Sequence, residues 1–239
     1  GFGTVYRAFD PQLGRDVALK IPHPHLVDDQ YRERFLREAR AAAQLQHPNI
    51  VAVYDFGATP AGWYIAFQLV PGRSLAKLLR KRRLTAREAA QLVRKLALAA
   101  HHAHGRGVFH RDLKTANVLV VESADATLEP LIADFGLVRL DGDATLTATS
   151  TVLGTPAYMS PEQAAGSSHL ADARSDTYTL GVVLYELLAG QLPFAGAPHS
   201  VLRQVVEQEP ARPGTHAAGV PRDLETICLK TMAKQPERR

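Results

Sequence analysis

Side chains capable of chemistry are concentrated in one short segment, His110-Arg111-Asp112-Leu113-Lys114-Thr115-Ala116-Asn117. A second carboxylate, Asp134, lies 17 positions after Asn117, and Lys20 lies far upstream in an apolar stretch. A carboxylate can accept a proton or ligate a hard cation, and a lysine can neutralise an anion. Any chemistry that uses all three sites needs a fold that brings distant parts of the chain together.

The elements that must position these side chains are predicted from residue patterning. Lys20 lies in a strand predicted at 16–21, and the helical spacing of apolar residues predicts a helix over 28–45. Other strands are predicted at 2–9, 50–56 and 63–69, with short strands around Asn117 and Asp134, and other helices at 74–82, 85–104, 176–189, 197–207 and 223–233. A change of character at 70–72 divides a small, mainly β part from a larger, mainly α part.

Composition excludes several classes of protein. The chain has 239 residues, of which 46% are hydrophobic and 22% charged, and this excludes a disordered or collagen-like chain. The net charge of +4 is mild, so it is compatible with a nucleotide ligand and does not indicate nucleic acid. The single cysteine, Cys228, excludes an internal disulfide framework. No stretch approaches the ~20 apolar residues that span a bilayer.

The order of the motifs resembles that of protein kinases. Four segments carry the resemblance: Val17-Ala18-Leu19-Lys20, residues 110–117, Asp134-Phe135-Gly136 and Ser160-Pro161-Glu162. The chain resembles the catalytic domain of bacterial, eukaryotic-like (Hanks-type) serine/threonine kinases. The resemblance implies an α+β, bilobal fold with one kinase domain over 1–239, made of an antiparallel-β N-lobe at 1–70 and a mainly helical C-lobe at 71–239.

The two ends of the chain refine this expectation. Gly1-Phe2-Gly3-Thr4-Val5 resembles the second half of the glycine-rich loop of kinases, so two more glycines would precede residue 1. The family usually continues for another helix beyond the position of Arg239. We therefore expect most of one catalytic domain, trimmed at both ends, and weak ATP binding by residues 1–239 alone.

The resemblance implies transfer of the γ-phosphate of ATP to Ser/Thr hydroxyls of proteins. In this reaction the protein mainly positions groups and neutralises charge. Asp112 would be the catalytic base, and Lys114 would steady the migrating phosphate. Asn117 and Asp134 would ligate Mg²⁺, with Mn²⁺ as an alternative.

Lys20 is expected to hold the α- and β-phosphates. A flexible lysine needs a carboxylate to aim it, and the resemblance assigns this role to Glu38, with Glu33 as the competing acid on the same predicted helix.

The resemblance also predicts the nucleotide pocket. Its expected members are Gly3 of the glycine-rich loop, Val5 and Ala18 over one adenine face, Leu119 over the other, Phe67 at the gatekeeper position, and Gln68 and Val70, whose main-chain groups would read the adenine edge. The bulk of Phe67 predicts a closed back pocket.

Specificity and regulation are implied by the same comparison. The residue types at Lys114 and Thr155 resemble those of serine/threonine kinases rather than those of tyrosine kinases. Arg111 immediately precedes Asp112, and in the family an arginine at this position binds a negatively charged group. The hydroxyl-rich loop 145–151 would supply that anion after autophosphorylation at Thr147 and Thr149.

Other residues are expected to support the site. His110 would be a packed structural residue, and Phe135 and Gly136 complete the motif of Asp134. Asp176 would brace the backbone of the catalytic loop. Glu162 would form a buried ion pair with Arg239.

Alternative interpretations remain open at this stage. A pseudokinase scaffold is one, although all the catalytic positions are filled, and a small-molecule kinase of the antibiotic or choline type is the other. The triplet His101, His102 and His104 could suggest a metal cluster, although the family has a packed histidine at His104. The basic run at 80–83 is interpreted as a solvated helix end, and Cys228 as a core thiol.

The expected partners are ATP and protein substrates, including a second copy of the kinase in trans. We expect no nucleic acid and no membrane contact from these residues. The domain is expected in the cytoplasm, with an anchor elsewhere in the protein as an alternative.

Overall fold

The computed structural model describes residues 3–23, 36–37, 39–59, 62–135, 156–167 and 171–239. The strands are β1 Gly3–Asp10, β2 Arg15–Pro22, β3 Val53–Thr59, β4 Gly62–Gln68, β5 Arg73–Ser74, β6 Val118–Glu122 and β7 Leu128–Ile132. The helices are α1 at 36–37 and 39–43, α2 Leu75–Leu79, α3 Ala86–His104, α4 Pro161–Ala164, α5 Ala173–Ala189, α6 Pro198–Glu207 and α7 Arg222–Thr231. Within these ranges, no helix combines the length and the apolar character needed to span a membrane.

The first four strands form an antiparallel sheet in the order β1-β2-β4-β3. The turn between β1 and β2 is built by Asp10, whose Oδ1 accepts two backbone N–H groups at 3.0 and 3.2 Å. Gly14 completes this turn with a φ of 61°, which glycine adopts without strain. Lys20 pairs with Val5 on one side and with Ile65 on the other, so the lysine is held in the interior of the sheet.

Helix α1 packs against this sheet. Its buried Ala39 and Ala42 lie in a small apolar cluster with Val51, Ile65 and Phe67. The pattern predicted a helix that ends at 45, and the helix of the structure ends two residues earlier.

Strands β5, β6 and β7 form a second antiparallel sheet, which is joined to the first part of the chain through residues 49–51. The Val51 N–H donates to the Ile132 carbonyl at 2.9 Å, and the Ile132 N–H donates to the Asn49 carbonyl at 2.8 Å. The strand predicted at 50–56 begins only at Val53, because the residues before it bond to β7 instead. The long segment between Asn117 and Asp134 forms the β6–β7 hairpin.

The helical part packs around α3 and α5. Thr85 and Glu88 form a capping box at the start of α3: the Thr85 N–H donates to the Glu88 carboxylate at 2.7 Å, and the Glu88 N–H donates to Thr85 Oγ1 at 3.2 Å. Nearly every residue of α5 from Ser175 onward is buried, so this helix forms the centre of the core.

Among the helices whose starts the structure describes, two depart from the prediction by more than one residue. Helix α5 begins at Ala173 rather than 176, because Asp172 Oδ1 accepts the N–H of Arg174 at 2.7 Å and caps the helix three residues earlier. Helix α4 was not predicted at all. The Ser160 N–H donates to Gln163 Oε1 at 3.1 Å, so the side chain of Gln163, one turn further along the chain, caps the start of α4.

Candidate active site

Residues 110–117 form a compact loop between α3 and β6. Lys114 Nζ donates to Asp112 Oδ2 at 2.7 Å, and Asn117 Nδ2 donates to the Asp112 carbonyl at 2.9 Å. The side chains of Asp112 and Lys114 remain 36% and 20% exposed. The three polar side chains therefore meet around one carboxylate that a substrate can reach.

A buried carboxylate of α5 holds this loop from the core side. Asp176 Oδ2 accepts the N–H of His110 at 2.8 Å and lies 2.8 Å from His104 Nε2, while Oδ1 accepts the N–H of Arg111 at 2.8 Å. Burial alone would raise the pKa of the Asp176 carboxyl, but its hydrogen-bond and charge partners lower it.

The backbone of this loop is strained at Arg111. Its φ is 62°, a left-handed conformation that is unfavourable for a residue with a Cβ. The Arg111 N–H is one of the groups that Asp176 binds, so the buried carboxylate holds the loop in a shape that an isolated chain would avoid. His104, which the sequence analysis gave only a packing role, is a third group bound to this carboxylate.

His110 and Phe135 pack behind the loop. His110 is 1% exposed, and its Nε2 lies 2.9 Å from the Ala133 carbonyl. Its ring centroid is 5.0 Å from that of Phe135, which is also buried. His110 therefore lies in the packed interior, and its structural role stays a prediction.

Lys20 of β2 reaches the third motif. Its Nζ lies 2.7 Å from Asp134 Oδ1, a contact between residues that are 114 positions apart. The Ala133 N–H donates to the Asn117 carbonyl at 2.9 Å, which sets Asp134 beside the catalytic loop. Glu38, the partner that the resemblance implies for Lys20, lies outside the described residues, so that pairing stays a prediction.

The oxygens beside Lys20 suit a hard divalent cation. The Asp134 side chain is 37% exposed. Because the amide nitrogen of Asn117 donates to the Asp112 carbonyl, its amide oxygen is directed away from that carbonyl. Mg²⁺ is usually held by one or two protein carboxylates together with phosphate oxygens of a substrate. Asp134 and Asn117 therefore fit a cation shared with a nucleotide.

Four of the residues expected around adenine belong to one apolar cluster. Ala18, Phe67, Val70 and Leu119 belong to the same cluster as α1, and this cluster joins the two sheets. Val5 is 58% exposed at the edge of the first sheet. The Gln68 N–H donates to the Ala52 carbonyl at 2.9 Å. At Gly3 a Cβ would lie 2.3 Å from the Ile21 carbonyl oxygen, so only glycine allows the close approach of β1 to β2.

Sequence reasoning missed a polar network beneath the loop. Thr115 Oγ1 lies 3.0 Å from the Tyr158 hydroxyl, which donates to Glu186 at 2.5 Å. Burial raises the pKa of both Tyr158 and Glu186. Gln163 Nε2 donates to the Arg111 carbonyl at 3.0 Å. The network connects residues 156–163 and α5 to the catalytic loop.

Glu162 and Arg239 form a bidentate ion pair with distances of 2.7 and 2.8 Å. Their side chains are 11% and 1% exposed. Burial would raise the pKa of Glu162, but the bonds from Arg239 and from Ser175 Oγ lower it to about 2. The arginine also donates to three backbone carbonyls, so it ties the end of the described chain to α4 and α5.

The remaining predicted residues fall into two groups. Gly136, Thr147, Thr149 and Thr155 lie outside the described residues, and their roles stay predictions. The three histidines of α3 are not joined in a metal cluster, since the described ranges contain no group of three or more His, Cys, Asp and Glu that could hold an ion. Cys228 is fully buried, and burial raises its pKa to about 12, as expected for a core thiol.

This fold and site define a protein kinase domain. A family model described as protein kinase domain matches residues 1–239, and the chain belongs to that family. The resemblance noted in the sequence and the bilobal α+β fold that it implied are thus confirmed.

The curated relatives are mycobacterial kinases. The chain is 42% identical over 248 residues to the serine/threonine-protein kinase PknB of Mycobacterium tuberculosis, covering 100% of this chain and 39% of that protein. It is 40% identical over 243 residues to PknJ of the same organism, covering 100% and 41%. The chain therefore spans about two fifths of the length of these relatives.

Solved structures resemble the chain as well. The kinase domain of Mycobacterium tuberculosis PknI superposes with a TM-score of 0.77 at 28% identity, covering 100% of this chain and 85% of that one.

Proposed function

We propose that this chain transfers the γ-phosphate of Mg·ATP to Ser or Thr hydroxyls of proteins. The observation that carries the proposal is the convergence of three distant motifs at one place in the fold. Asp112, Lys114 and Asn117 meet in one loop, and Lys20 meets Asp134 beside it. The relatives are named as serine/threonine-protein kinases, which agrees with this activity.

Lys20 and Asp134 would serve the nucleotide phosphates. In the structure they neutralise each other at 2.7 Å. When a nucleotide enters, the Lys20 ammonium would turn to the α- and β-phosphates, and the Asp134 carboxylate and the Asn117 amide oxygen would hold Mg²⁺ or Mn²⁺. The cation supplies charge neutralisation on the phosphate oxygens. Adenine would lie against the apolar cluster, between Ala18 and Leu119.

Asp112 would orient the attacking hydroxyl and accept its proton. Its carboxylate is exposed enough to reach a substrate, and Lys114 donates to one of its oxygens. The second oxygen, Oδ1, is therefore the one directed to the incoming hydroxyl. The lysine would then neutralise charge on the migrating phosphoryl group, because it lies beside the base.

Specificity for aliphatic hydroxyls is part of the proposal. Lys114 supports it, and Thr155 would complete the site by bonding to Asp112 and Lys114. Autophosphorylation in trans at Thr147 and Thr149 would add about −1.5 to −2 charge at each site, which suits an arginine such as Arg111. Phosphopeptide mapping of the active protein tests this step, and full activity after replacement of all the hydroxyls of 145–151 would contradict it.

The deciding experiment compares the complete protein with its Asp112→Asn variant. Each is incubated with Mg·ATP and a generic basic protein, and phosphate transfer is measured. Asparagine keeps the shape and the bond from Lys114 but cannot accept a proton, so the rate should fall by about 10²–10⁴-fold. Asp223→Asn, the same change at an exposed position of α7, should leave the rate unchanged.

The same assay separates the alternatives. No transfer by the parent protein would favour the pseudokinase. Transfer to an aminoglycoside or choline but not to protein would favour the small-molecule kinase. Equal transfer by the parent and Asp112→Asn would remove Asp112 from its role.

A further inference from the structure

Positive charge is distributed very unevenly along the chain. Residues 73–106 contain ten of the 28 Lys and Arg residues and only one of the 24 acidic residues, Glu88. The chain outside this stretch is therefore acidic overall, although the whole carries +4. The basic stretch is therefore much longer than the run at 80–83 noted in the sequence analysis.

The structure leaves most of this charge exposed to solvent. Arg82 and Lys95 pair with Glu88 and Glu129, at 2.8 and 2.6 Å. Arg106 donates to the His102 carbonyl. Six others are exposed and make no ion pair with the described part of the chain: Arg73, Lys77, Arg80, Lys81, Arg87 and Arg94. We call these six residues the basic face.

Arg83 is a different case, although it belongs to the same run. Its guanidinium packs against Gly190, where a Cβ would lie 2.6 Å from Nη2. Gly190 is the residue at which α5 ends, and helix C-termini favour cations. Arg83 therefore has a structural role, whereas no comparable contact with the described residues accounts for the six residues of the basic face.

Helix α3 shows how regular the surface is. Arg87, Gln91, Arg94 and Leu98 follow at steps of four, three and four, so they lie on one side of the helix. The opposite side is buried, with Leu92 and Leu96 in the core. The two arginines are separated by seven residues, or about 10 Å along the axis. Leu98, one turn further on, is 49% exposed.

We propose that the basic face binds an acidic segment of another protein. Arg87 and Arg94 lie on the same side of α3 and make no ion pair with the described residues, so the carboxylates of an acidic segment would neutralise them. The spacing of residues on α3 defines what the partner must present. Two acidic groups about 10 Å apart would contact Arg87 and Arg94, and an apolar residue beyond them would cover Leu98. Helix α2, which carries Lys77, itself packs against residues 115–117.

An anionic membrane is a poorer match for this surface. A helix that lies on a bilayer inserts a broad apolar face. The apolar face of α3 is already used in the core, and among its described residues only Leu98 is a large exposed apolar side chain. The proposal does not depend on phosphoryl transfer, since it concerns binding alone.

A binding experiment tests the proposal without nucleotide. The probe is a short fluorescein-labelled Glu-rich peptide that ends in leucine, and its twin has Gln in place of Glu. Anisotropy is measured on the complete protein at low and physiological salt. The Glu peptide should bind, its affinity should fall with salt, and the Gln twin should not bind. Arg87→Glu/Arg94→Glu should weaken binding about tenfold, because two attractions become repulsions.

A matched control separates local recognition from net charge. Arg222→Glu/Lys230→Glu makes the same change in charge on α7, at two exposed positions, and should alter binding less than about twofold. Leu98→Ala should weaken binding of the leucine-ended peptide about threefold and leave the binding of a leucine-free peptide unchanged. Unchanged unfolding midpoints show that each variant is folded.

Three results would overturn the proposal. The parent protein could fail to bind the Glu peptide at low salt. Both charge-reversal variants could lose affinity equally, which would show unspecific attraction. Or vesicles containing phosphatidylserine could bind the basic face while the peptide does not, which would identify a membrane instead.

Discussion

Replacing Asp176 should damage both the stability of the protein and its catalytic loop. This carboxylate is 1% exposed and accepts the N–H groups of His110 and Arg111, with His104 Nε2 at the same distance of 2.8 Å. In Asp176→Ala all three groups lose their acceptor while remaining in the interior of the fold.

The expected loss follows from these contacts. A hydrogen bond to a charged acceptor contributes about 1.5–3 kcal/mol, so the two backbone bonds account for about 3–6 kcal/mol. Relaxation of Arg111 from its φ of 62° would return about 1–2 kcal/mol. We therefore expect Asp176→Ala to lower the free energy of unfolding by about 1–5 kcal/mol. The relaxed loop would also misplace Asp112, with a rate loss of about 10²-fold.

Two measurements check this prediction. Urea unfolding followed by the fluorescence of Trp63, the single tryptophan, gives the loss of stability. Amide hydrogen exchange at His110 and Arg111 reports the loop itself, and both amides should lose protection. Asp176→Asn keeps one oxygen acceptor and should fall between the parent and the alanine variant.

Asp223→Ala provides the control, because it removes an exposed aspartate from α7 and should change stability by less than about 0.5 kcal/mol. The reasoning fails if Asp176→Ala unfolds like the control, or if both loop amides stay protected.

Three further predictions concern the core of the helical part. The pKa of Glu162 is lowered from 4.5 to about 2 in the folded state, so its contribution to stability is complete above pH 4.5; about 3 kcal/mol should be lost as the pH falls to 2, measured by urea unfolding at each pH. Gly181→Ala should cost about 1–3 kcal/mol in thermal unfolding, because its Cβ would lie 2.3 Å from Thr231 Oγ1. Cys228 should resist alkylation until the protein unfolds, because burial raises its pKa to about 12 and covers the thiol.

Each of these has its own control. Arg239→Leu should remove the contribution of Glu162 to the pH dependence of stability between pH 4.5 and 2. If this variant loses stability equally steeply with falling pH, the pH dependence comes from other groups. Gly105→Ala has no close neighbour, with the nearest atom at 3.6 Å, and should be nearly neutral. If Gly181→Ala is equally neutral, the packing argument is wrong. Alkylation of native Cys228 at the rate of a free thiol would contradict its burial.

Local features of the fold could be predicted because their causes lie within a few residues. The capping box of Thr85 and Glu88 needs only a three-residue spacing, and the periodicity of α3 needs only its own side chains. The motifs around Asp112 and Asp134 also identified the family, which the family model confirmed. Even so, the start of α5 was misplaced, because the capping role of Asp172 was not recognised.

Long-range contacts could not be predicted from spacing. The bond of Tyr158 to Glu186 joins residues 28 positions apart, and the contact of His104 with Asp176 joins residues 72 positions apart. No local pattern specifies such pairs, since they depend on how α3 and α5 pack.

By itself, the sequence determined the family and most of the helices and strands, because motifs and periodicity are local properties. Only the tertiary structure decided which groups meet. It placed Lys20 against Asp134 across 114 positions, and it set Tyr158 against Thr115 beneath the loop. It also left the basic face without a partner among the described residues. These outcomes depend on burial and on the packing of whole elements, because a charge is neutralised, shielded or exposed only by what the fold brings next to it.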